Sequence, residues 1–283
     1  MAEIIDGKKV SAHIREQIKA DVLKFKEERS TVPGLAVVLV GDNPASMVYV
    51  RNKHKACLEC GIYSFEITLP ADTTESDLLA EIARLNADTS VHGILVQLPL
   101  PKHINEDNVI NAINPDKDVD AFHPANVGRI MTGKYDFLPC TPAGVMSLLD
   151  YYGVDLEGKS CVVIGRSNIV GKPMAHLLLE RNATVTVCHS RTVNLPEITR
   201  NADLVVVAIG RAGFLKADMV KEGAVIVDVG INRLDNGKLA GDVAFDEVSS
   251  VASLITPVPG GVGPMTITTL LRNTLKAAER LTR

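Results

Sequence analysis

The stretch from Ser160 to Leu178 constrains the fold of this chain more than any other. Residues 160–164 are an apolar, β-branched run of strand length, residues 165–171 form a short polar turn, and apolar residues at helical spacing follow Pro173. A strand, a glycine turn and a helix in this order present backbone N–H groups and the positive end of a helix dipole at one point, which suits a phosphate or pyrophosphate. Similar turns occur in α/β domains that bind no nucleotide, so the turn alone leaves both interpretations open.

Gly165 and Ser167 of this turn are candidate cofactor contacts. Gly165 lets the chain turn tightly off the strand, and Gly171 lets helix and sheet pack closely. The spacing departs from the usual G-x-G-x-x-G, because Ser167 stands at the position of the second glycine. Its hydroxyl could donate to a phosphate oxygen, which makes Ser167 a further cofactor candidate.

The next strand indicates which dinucleotide is bound. Residues 184–188 form this strand, and Ser190 and Arg191 follow it. In a dinucleotide fold this strand end carries an acid for the ribose of NAD or a cation for the 2′-phosphate of NADP. No acid is present here, whereas Arg166 and Arg191 supply cations. The sequence therefore favours NADP, with ordinary solvated loop arginines as the alternative.

Size and composition exclude several classes of protein. The 283 residues are enough for one large or two modest domains, and 46% hydrophobic with 23% charged residues is typical of a soluble globular protein. A net charge of −4 argues against nucleic acid as the main partner. There is no signal segment and no apolar run long enough to span a bilayer, which predicts a cytoplasmic protein that does not bind membranes.

The five cysteines are an odd number scattered along the chain, so a disulfide framework is not expected. Cys57 and Cys60 form a C-x-x-C with His54 three residues before it, which raises the possibility of a metal or redox site. No second pair accompanies them and all three lie within one predicted helix. Plain helix packing is therefore the favoured interpretation, and no metal is expected.

The amino-terminal half alternates helices and strands. A helix is predicted around residues 10–25, strands at 35–40, 62–69 and 92–97, and a helix at 44–60 between the first two strands. Tyr49 and Lys53 lie on one face of that helix, just beyond the carboxyl end of a buried strand, where α/β sheets place ligands. Gln97 ends the third strand, and a glutamine that only caps loop backbone is the alternative reading.

The segment 115–124, PDKDVDAFHP, is charged and lacks any secondary-structure period. Such a loop usually faces solvent, but loops on an α/β scaffold also carry specificity residues. Asp120 is the acid with apolar neighbours, and its carboxylate could recognise an amino-pyrimidinone ring through paired hydrogen bonds. Composition does not decide between these alternatives.

The carboxyl-terminal half continues the alternation. Strands are predicted at 203–209, 224–229 and 253–256, with a hairpin turn at Asn236-Gly237. The whole pattern predicts an α/β protein of two domains: an amino-terminal α/β substrate domain, residues 1–138, and a Rossmann-type domain with a doubly wound parallel sheet, residues 139–264. The final helix, residues 265–283, is expected to return to the first domain.

Six segments in a fixed order carry a resemblance that covers the whole chain. They are YVRNKHKA at residue 49, GILVQLPLP at 93, PDKDVDAFHP at 115, PCTPAG at 139, GRSNIVGKP at 165 and TPVPGGVGPMT at 256. Together they resemble the bacterial bifunctional methylenetetrahydrofolate dehydrogenase and methenyltetrahydrofolate cyclohydrolase, the FolD family. The resemblance implies an NADP-dependent homodimer of one-carbon metabolism that binds tetrahydrofolate derivatives in a cleft between its two domains.

The resemblance also assigns residues. The positions that match the family's active site are Tyr49, Lys53, Gln97 and Asp120, and those that match its cofactor contacts are Gly165, Arg166, Ser167, Ser190 and Ile231. One departure is Ala121, where the family often has glycine. Alanine does not easily adopt positive φ, so the fit of this loop around the pterin depends on the conformation it needs.

The two reactions implied by the resemblance place different demands on these residues. Hydride transfer from the methylene carbon needs no acid or base, so positioning is expected to supply most of that rate. Hydrolysis of the methenyl product to 10-formyltetrahydrofolate needs proton transfer, for which Lys53 is the candidate, with Gln97 holding it, Tyr49 contacting the folate and Asp120 anchoring the pterin. Two alternatives remain, a dehydrogenase without hydrolase activity and a non-enzymatic dinucleotide sensor. Lys53 and Gln97 count against the first, and the lack of a basic face counts against the second.

Overall fold

The chain divides into two units, each described here by itself. The computed structural model describes residues 1–282, with Ala45 described by its backbone alone. One unit contains residues 1–12 and 141–266, and the other contains residues 13–140 and 267 onward. We refer to them as the nucleotide unit and the lysine unit.

The strands are β1 (Glu3–Ile4), β2 (Gly34–Val40), β3 (Tyr63–Leu69), β4 (Gly93–Val96), β5 (Ser160–Ile164), β6 (Thr184–Cys188), β7 (Leu204–Val207), β8 (Val225–Asp228), β9 (Asn232–Arg233), β10 (Leu239–Ala240) and β11 (Leu254–Ile255). The α-helices are α1 (Gly7–Arg29), α2 (Pro44–Cys60), α3 (Glu75–Ala87), α4 (Glu106–Ala112), α5 (Pro124–Met131), α6 (Cys140–Tyr151), α7 (Gly171–Glu180), α8 (Leu195–Thr199), α9 (Phe245–Val248) and α10 (Val262–Leu281). No described helix is both long enough and apolar enough to cross a membrane.

The nucleotide unit is built on a parallel sheet. Its strand order is β1-β11-β8-β7-β5-β6, and every adjacent pair in it is parallel. The chain leaves β5 for β6 on one side and later returns to β7 on the other, so the strand order reverses beside β5. In doubly wound sheets, ligands bind in the crevice at such a point, outside the carboxyl ends of the strands. The predicted parallel sheet is confirmed, and β5 and β6 have the bounds that the sequence predicts.

Residues 1–12 differ from the sequence prediction, which placed residues 1–138 in the first domain. Glu3 and Ile4 pair with Leu254 and Ile255 at the edge of the six-stranded sheet, so these residues belong to the nucleotide unit. A strand of two residues has no periodicity to read. Only its long-range pairing with β11 reveals it.

The lysine unit is built on a three-stranded parallel sheet in the order β3-β2-β4. All seven residues of the central strand β2 are buried, as its continuous apolar sequence predicts. Helix α2 spans the predicted residues, and α3 is capped by Thr74, whose side chain accepts a hydrogen bond from the backbone N–H of Asp77. The four short helices α4, α5, α8 and α9 were not predicted, because their few turns carry little hydrophobic period.

Candidate active site

Lys53 and Gln97 meet in the lysine unit. Lys53 lies on α2 and is only 8% exposed, and its Nζ donates to Gln97 Oε1 over 2.8 Å. The backbone N–H of Gln97 donates to Val38 O, which extends the β2–β4 ladder, and its side-chain Nε2 donates to Leu98 O over 2.7 Å. Because both ends of the Gln97 amide are bonded, its oxygen is held toward the lysine. The structure thus brings together two residues predicted from separate segments.

Burial of Lys53 shifts its pKa. Loss of solvation lowers the pKa of Lys53, and the nearby Asp120 carboxylate opposes that shift by a smaller amount. Burial likewise raises the pKa of Asp120, with Lys53 and a hydrogen bond from the Cys140 thiol opposing the shift. Compared with solvent-exposed groups, both side chains are therefore closer to exchanging protons near neutral pH.

The loop that carries Asp120 does not simply face solvent, which was one of the two alternatives left open. The Lys117 ammonium is buried and donates to three backbone carbonyls at the end of α3, those of Leu85, Asn86 and Asp88, over 2.7–3.1 Å. The Asp118 carboxylate, 2% exposed, accepts from the backbone N–H of His123 and from Asn126 Nδ2, each over 2.8 Å. Residue types alone did not indicate this burial, because charged loop residues are normally solvated.

A second layer lies behind Asp120. Asn273, on α10, donates through Nδ2 to Val119 O over 2.8 Å and to Leu138 O over 3.0 Å, and its Nδ2 lies 3.8 Å from Cys140 Sγ. Cys140 in turn hydrogen bonds with the Asp120 carboxylate. Sequence reasoning missed Asn273, although a buried asparagine on the apolar face of a helix is a polar group that must find partners.

Ala121 adopts the backbone conformation that would favour glycine at this position. Its φ is +58°, so this position does require the left-handed region, and the alanine adopts it. Its backbone N–H donates to Asp118 O over 3.1 Å, which closes the turn beside Asp120. The loop conformation is therefore retained at the expense of local backbone strain.

For Ala121→Gly we expect a small change in the free energy of unfolding, a gain of less than about 1 kcal/mol. Relief of the left-handed conformation favours glycine by about 1–2 kcal/mol. Loss of a methyl group that is 1% exposed opposes it by about 0.8 kcal/mol. Urea denaturation of both proteins measures the difference, and a loss above about 1.5 kcal/mol would contradict the strain argument.

Tyr49 lies one turn before Lys53 on α2, as predicted, and its side chain is 41% exposed. Asp120 borders an apolar hollow whose other lining residues include Ile94, Leu98 and Phe122.

The glycine turn of the nucleotide unit has the predicted conformation. Gly165 has φ +128°, and a Cβ there would overlap the carbonyl oxygen of Ala208. A Cβ on Gly171 would overlap the carbonyl oxygen of Gly165, so the start of α7 lies directly against the turn. Both positions need glycine, one for its backbone angle and both for close approach.

Ser167 corrects one detail of the sequence interpretation. Its Oγ accepts hydrogen bonds from the backbone N–H groups of Val170 and Gly171, over 3.2 and 3.3 Å. Two backbone N–H groups of this turn, which we expected to be available to a phosphate, are therefore already hydrogen bonded. The hydroxyl proton of Ser167 is not used in these bonds, so it can point to an external acceptor.

The other predicted cofactor residues surround the same sheet edge. Gly165 N–H donates to Cys188 O over 2.9 Å, which ties the turn to the end of β6, and Arg191 N–H donates to His189 Nδ1 over 3.1 Å. Arg166, Ser190 and Arg191 are exposed, and Ile231, in the loop between β8 and β9, is 45% exposed. Exposed cations at this edge fit a phosphorylated ligand.

The C-x-x-C segment is part of the interior. Cys57 and Cys60 are buried, and burial raises the pKa of the Cys57 thiol to about 12, which disfavours the reactive thiolate. Within the described residues, no group of three or more His, Cys, Asp or Glu side chains is placed to hold a metal ion.

Comparison with known proteins agrees with this geometry. Residues 5–120 match the family model of the tetrahydrofolate dehydrogenase/cyclohydrolase catalytic domain, and residues 139–282 match its NAD(P)-binding domain. The chain is 59% identical over 278 residues to the bifunctional protein FolD of Acetivibrio thermocellus, covering 98% of this chain and 97% of that protein.

Solved structures give the same result. The bifunctional FolD enzyme of Campylobacter jejuni is 56% identical with a TM-score of 0.96, covering 99% of both chains. The Trypanosoma brucei methylenetetrahydrofolate dehydrogenase-cyclohydrolase, solved with NADP cofactor and an inhibitor, is 40% identical with a TM-score of 0.96, covering 100% of this chain and 99% of that one. With both domain models matched and this identity along its length, the chain belongs to the tetrahydrofolate dehydrogenase/cyclohydrolase family.

Proposed function

We propose that the chain oxidises 5,10-methylenetetrahydrofolate with NADP and hydrolyses the resulting 5,10-methenyltetrahydrofolate to 10-formyltetrahydrofolate. The observation that carries the proposal is the buried Lys53 held at 2.8 Å by Gln97 with the Asp120 carboxylate close by. A dehydrogenase alone has no need of a buried amine. The lysine unit would bind the folate and the nucleotide unit the cofactor.

The oxidation depends on binding and orientation. Asp120 would accept hydrogen bonds from the amino-pyrimidinone edge of the pterin, and the exposed ring of Tyr49 would pack on the folate. NADP, when bound, supplies the hydride acceptor. The residues that would hold it are Gly165, Arg166, Ser167, Ser190, Arg191 and Ile231. The surface left open by the two glycines and the spare proton of Ser167 fit its pyrophosphate.

The hydrolysis depends on Lys53. A neutral Lys53 amine would accept a proton from the water that adds to the methenyl carbon. The resulting ammonium would then donate it to N5 as the bond between N5 and that carbon breaks, and the hydroxyl on that carbon would release its proton to solvent, leaving the formyl group on N10. Gln97 keeps Nζ in place through both transfers. Burial makes this cycle accessible, because it lowers the pKa of Lys53.

An absorbance time course tests the proposal. Purified protein is mixed with 5,10-methylenetetrahydrofolate and NADP, and NADPH and the methenyl compound are followed separately. We expect NADPH to rise while methenyl stays low and 10-formyltetrahydrofolate accumulates. Methenyl that accumulates without enzymatic decay would leave only a dehydrogenase, and no NADPH would point to a non-enzymatic sensor.

We expect Arg166→Ala and Arg191→Ala each to weaken the binding of NADP more than the binding of NAD, compared with the parent protein. Each removes a cation that would pair with the 2′-phosphate. A charged hydrogen bond contributes about 1.5–3 kcal/mol, which corresponds to about a tenfold to hundredfold change in affinity. Calorimetric titration with both dinucleotides measures the selectivity. The matched control is Arg200→Ala, another exposed arginine, which lies just after α8. Equal losses for the two dinucleotides would show that neither arginine reads the 2′-phosphate.

We further propose that the protein is a homodimer that pairs through β3. In the described sheet β3 bonds only to β2, so its other edge leaves backbone groups available for pairing. Tyr63 on this strand is 57% exposed and its ring packs edge-on against Phe65. Sedimentation should show a two-chain species that Tyr63→Lys weakens, and a parent protein that stays monomeric at micromolar concentration would refute the dimer.

We also place the protein in the cytoplasm. All five cysteines are free and buried, which is usual for proteins of reducing compartments. Fractionation of cells expressing the tagged chain tests this, and recovery in a membrane or secreted fraction would contradict it.

A further inference from the structure

We infer that Asp242 is a positioning residue for the nicotinamide end of the cofactor, acting through the two loops that follow β7 and β8. The inference rests on the proposed function, since it assumes that a dinucleotide binds at this sheet edge. Asp242 was not among the residues assigned from the sequence. It would touch neither cofactor nor substrate, and its effect would pass through the backbone that it holds.

The Asp242 carboxylate joins the two loops directly. It is 0% exposed, and its Oδ2 accepts from the backbone N–H groups of Ile209 and Gly210, over 2.7 and 2.9 Å. Its Oδ1 accepts from the backbone N–H of Arg211 over 2.7 Å and from Asn232 Nδ2 over 2.9 Å. One side chain thus bonds three successive residues after β7 and Asn232, the first residue of β9, where the loop after β8 ends.

A second buried carboxylate holds Asp242 itself. Asp228 ends β8 and is 3% exposed, and its Oδ1 accepts from the backbone N–H groups of Gly230 and Asp242, both over 2.9 Å. Its Oδ2 accepts from the backbone N–H of Val243 over 2.9 Å. Burial, opposed by these hydrogen bonds and assisted by the charge of Asp242, raises the pKa of Asp228 to about 6. Burying two neighbouring carboxylates costs free energy of folding because both lose solvation. A role beyond closing a turn would explain why the pair is present here.

Two glycines let the backbone close on the pair. A Cβ at Gly230 would overlap the Asp242 carboxylate, and a Cβ at Gly241 would overlap the Asp228 carboxylate. Neither glycine has a positive φ, so close approach is what each position requires. The loops are consequently held in one place by both hydrogen bonds and contact.

These loops lie where a nicotinamide would be. The pyrophosphate would bind at the Gly165 turn after β5, and β7 and β8 follow on the far side of the point where the strand order reverses. The second loop carries the exposed Ile231, next to Asn232, which Asp242 holds. The position of these loops would therefore set the orientation of the nicotinamide ring that accepts the hydride.

The test is Asp242→Asn, compared with the parent protein and with Asp235→Asn, a matched change at the exposed hairpin turn. The asparagine amide would turn one acceptor oxygen into a donor facing bonded N–H groups. We expect the KM and the Kd for NADP to rise about tenfold to a hundredfold. Deuterium at the methylene carbon should give a larger isotope effect on kcat. Hydrolysis of methenyltetrahydrofolate without cofactor should stay within about twofold of the parent, since it does not use these loops.

Three results would overturn the inference. The first is unchanged NADP binding, kcat and isotope effect in folded Asp242→Asn. The second is equal loss of both activities in a variant that still unfolds cooperatively, which would indicate a general structural role.

If Asp242→Asn does not fold, Asn232→Ala is the deciding variant, because it removes one of the four hydrogen bonds to the Asp242 carboxylate. A threefold to tenfold rise in the KM for NADP supports the inference. An unchanged KM is the third overturning result. A parent protein without dehydrogenase activity would refute the proposed function, while the calorimetric Kd comparison would still test Asp242.

Discussion

Lys53→Met is expected to abolish the hydrolysis of methenyltetrahydrofolate, by at least about a hundredfold in kcat, while NADP binding is retained. General acid–base catalysis contributes about 10²–10⁴-fold, and methionine has similar length but no proton to transfer. The variant would leave Gln97 Oε1 without its donor, at about 1–3 kcal/mol, so folding should survive. The rate is measured by the decay of methenyl absorbance, and NADP affinity by calorimetry.

The control for this experiment is Lys55→Met, on the same helix. The Lys55 side chain is 77% exposed and forms only an i,i+4 pair with Glu59 at 3.8 Å, so its loss should leave hydrolysis unchanged. In the parent protein, the rate of hydrolysis should rise with pH as Lys53 loses its proton. The rise should occur below pH 10.5, the usual pKa of a lysine, because burial lowers the pKa of Lys53. Full hydrolysis by Lys53→Met would remove Lys53 from the mechanism.

Gly165→Ala is expected to reduce NADP affinity at least a hundredfold and to lower the free energy of unfolding by at least about 2 kcal/mol. The added Cβ would meet the carbonyl oxygen of Ala208 at a backbone φ of +128°. Overpacking of this kind typically costs about 1–3 kcal/mol, to which the backbone strain is added. Relief of the overlap would move the turn away from Ala208, which follows β7, and so change the backbone that would meet the cofactor. Calorimetry with NADP and urea denaturation measure the two effects.

Gly158→Ala separates backbone strain from overlap. Gly158 also has positive φ, +70°, but a Cβ there would meet no heavy atom within 4 Å. It should therefore lose about 1–2 kcal/mol of stability and keep its NADP affinity. Cofactor-independent hydrolysis should survive in both variants. Parent-like NADP affinity in Gly165→Ala would show that the turn does not bind the cofactor.

Much of the local structure was predictable because short-range interactions determine it. Helix α2 has the predicted bounds, residues 44–60, and β5 and β6 have the bounds of their apolar runs. The positions of Lys53 and Gln97 were predictable for a related reason. Both follow buried parallel strands, whose carboxyl ends meet at one edge of a sheet.

The errors arose where a residue's partner is distant in the chain. Residues 1–12 were assigned to the first domain, although β1 pairs with β11, some 250 positions away. Loop 115–124 left a solvent-facing alternative open, although Lys117 and Asp118 are buried on carbonyl and amide partners. Asn273 and Asp242 gave no sequence signal. A polar residue in an ordinary pattern does not reveal which distant backbone groups it will bond.

The sequence by itself determined the α/β class, the glycine turn, the family resemblance and the candidate residues for the two sites, because periodicity, capping and motifs are properties of neighbouring residues. Only the tertiary structure decided the lowered pKa of Lys53, the hydrogen bond that orients it, the left-handed strain at Ala121 and the carboxylate pair that holds the β7 and β8 loops. Each of these depends on burial and on partners far away in the chain. Desolvation and long-range hydrogen bonding exist only once the chain has folded.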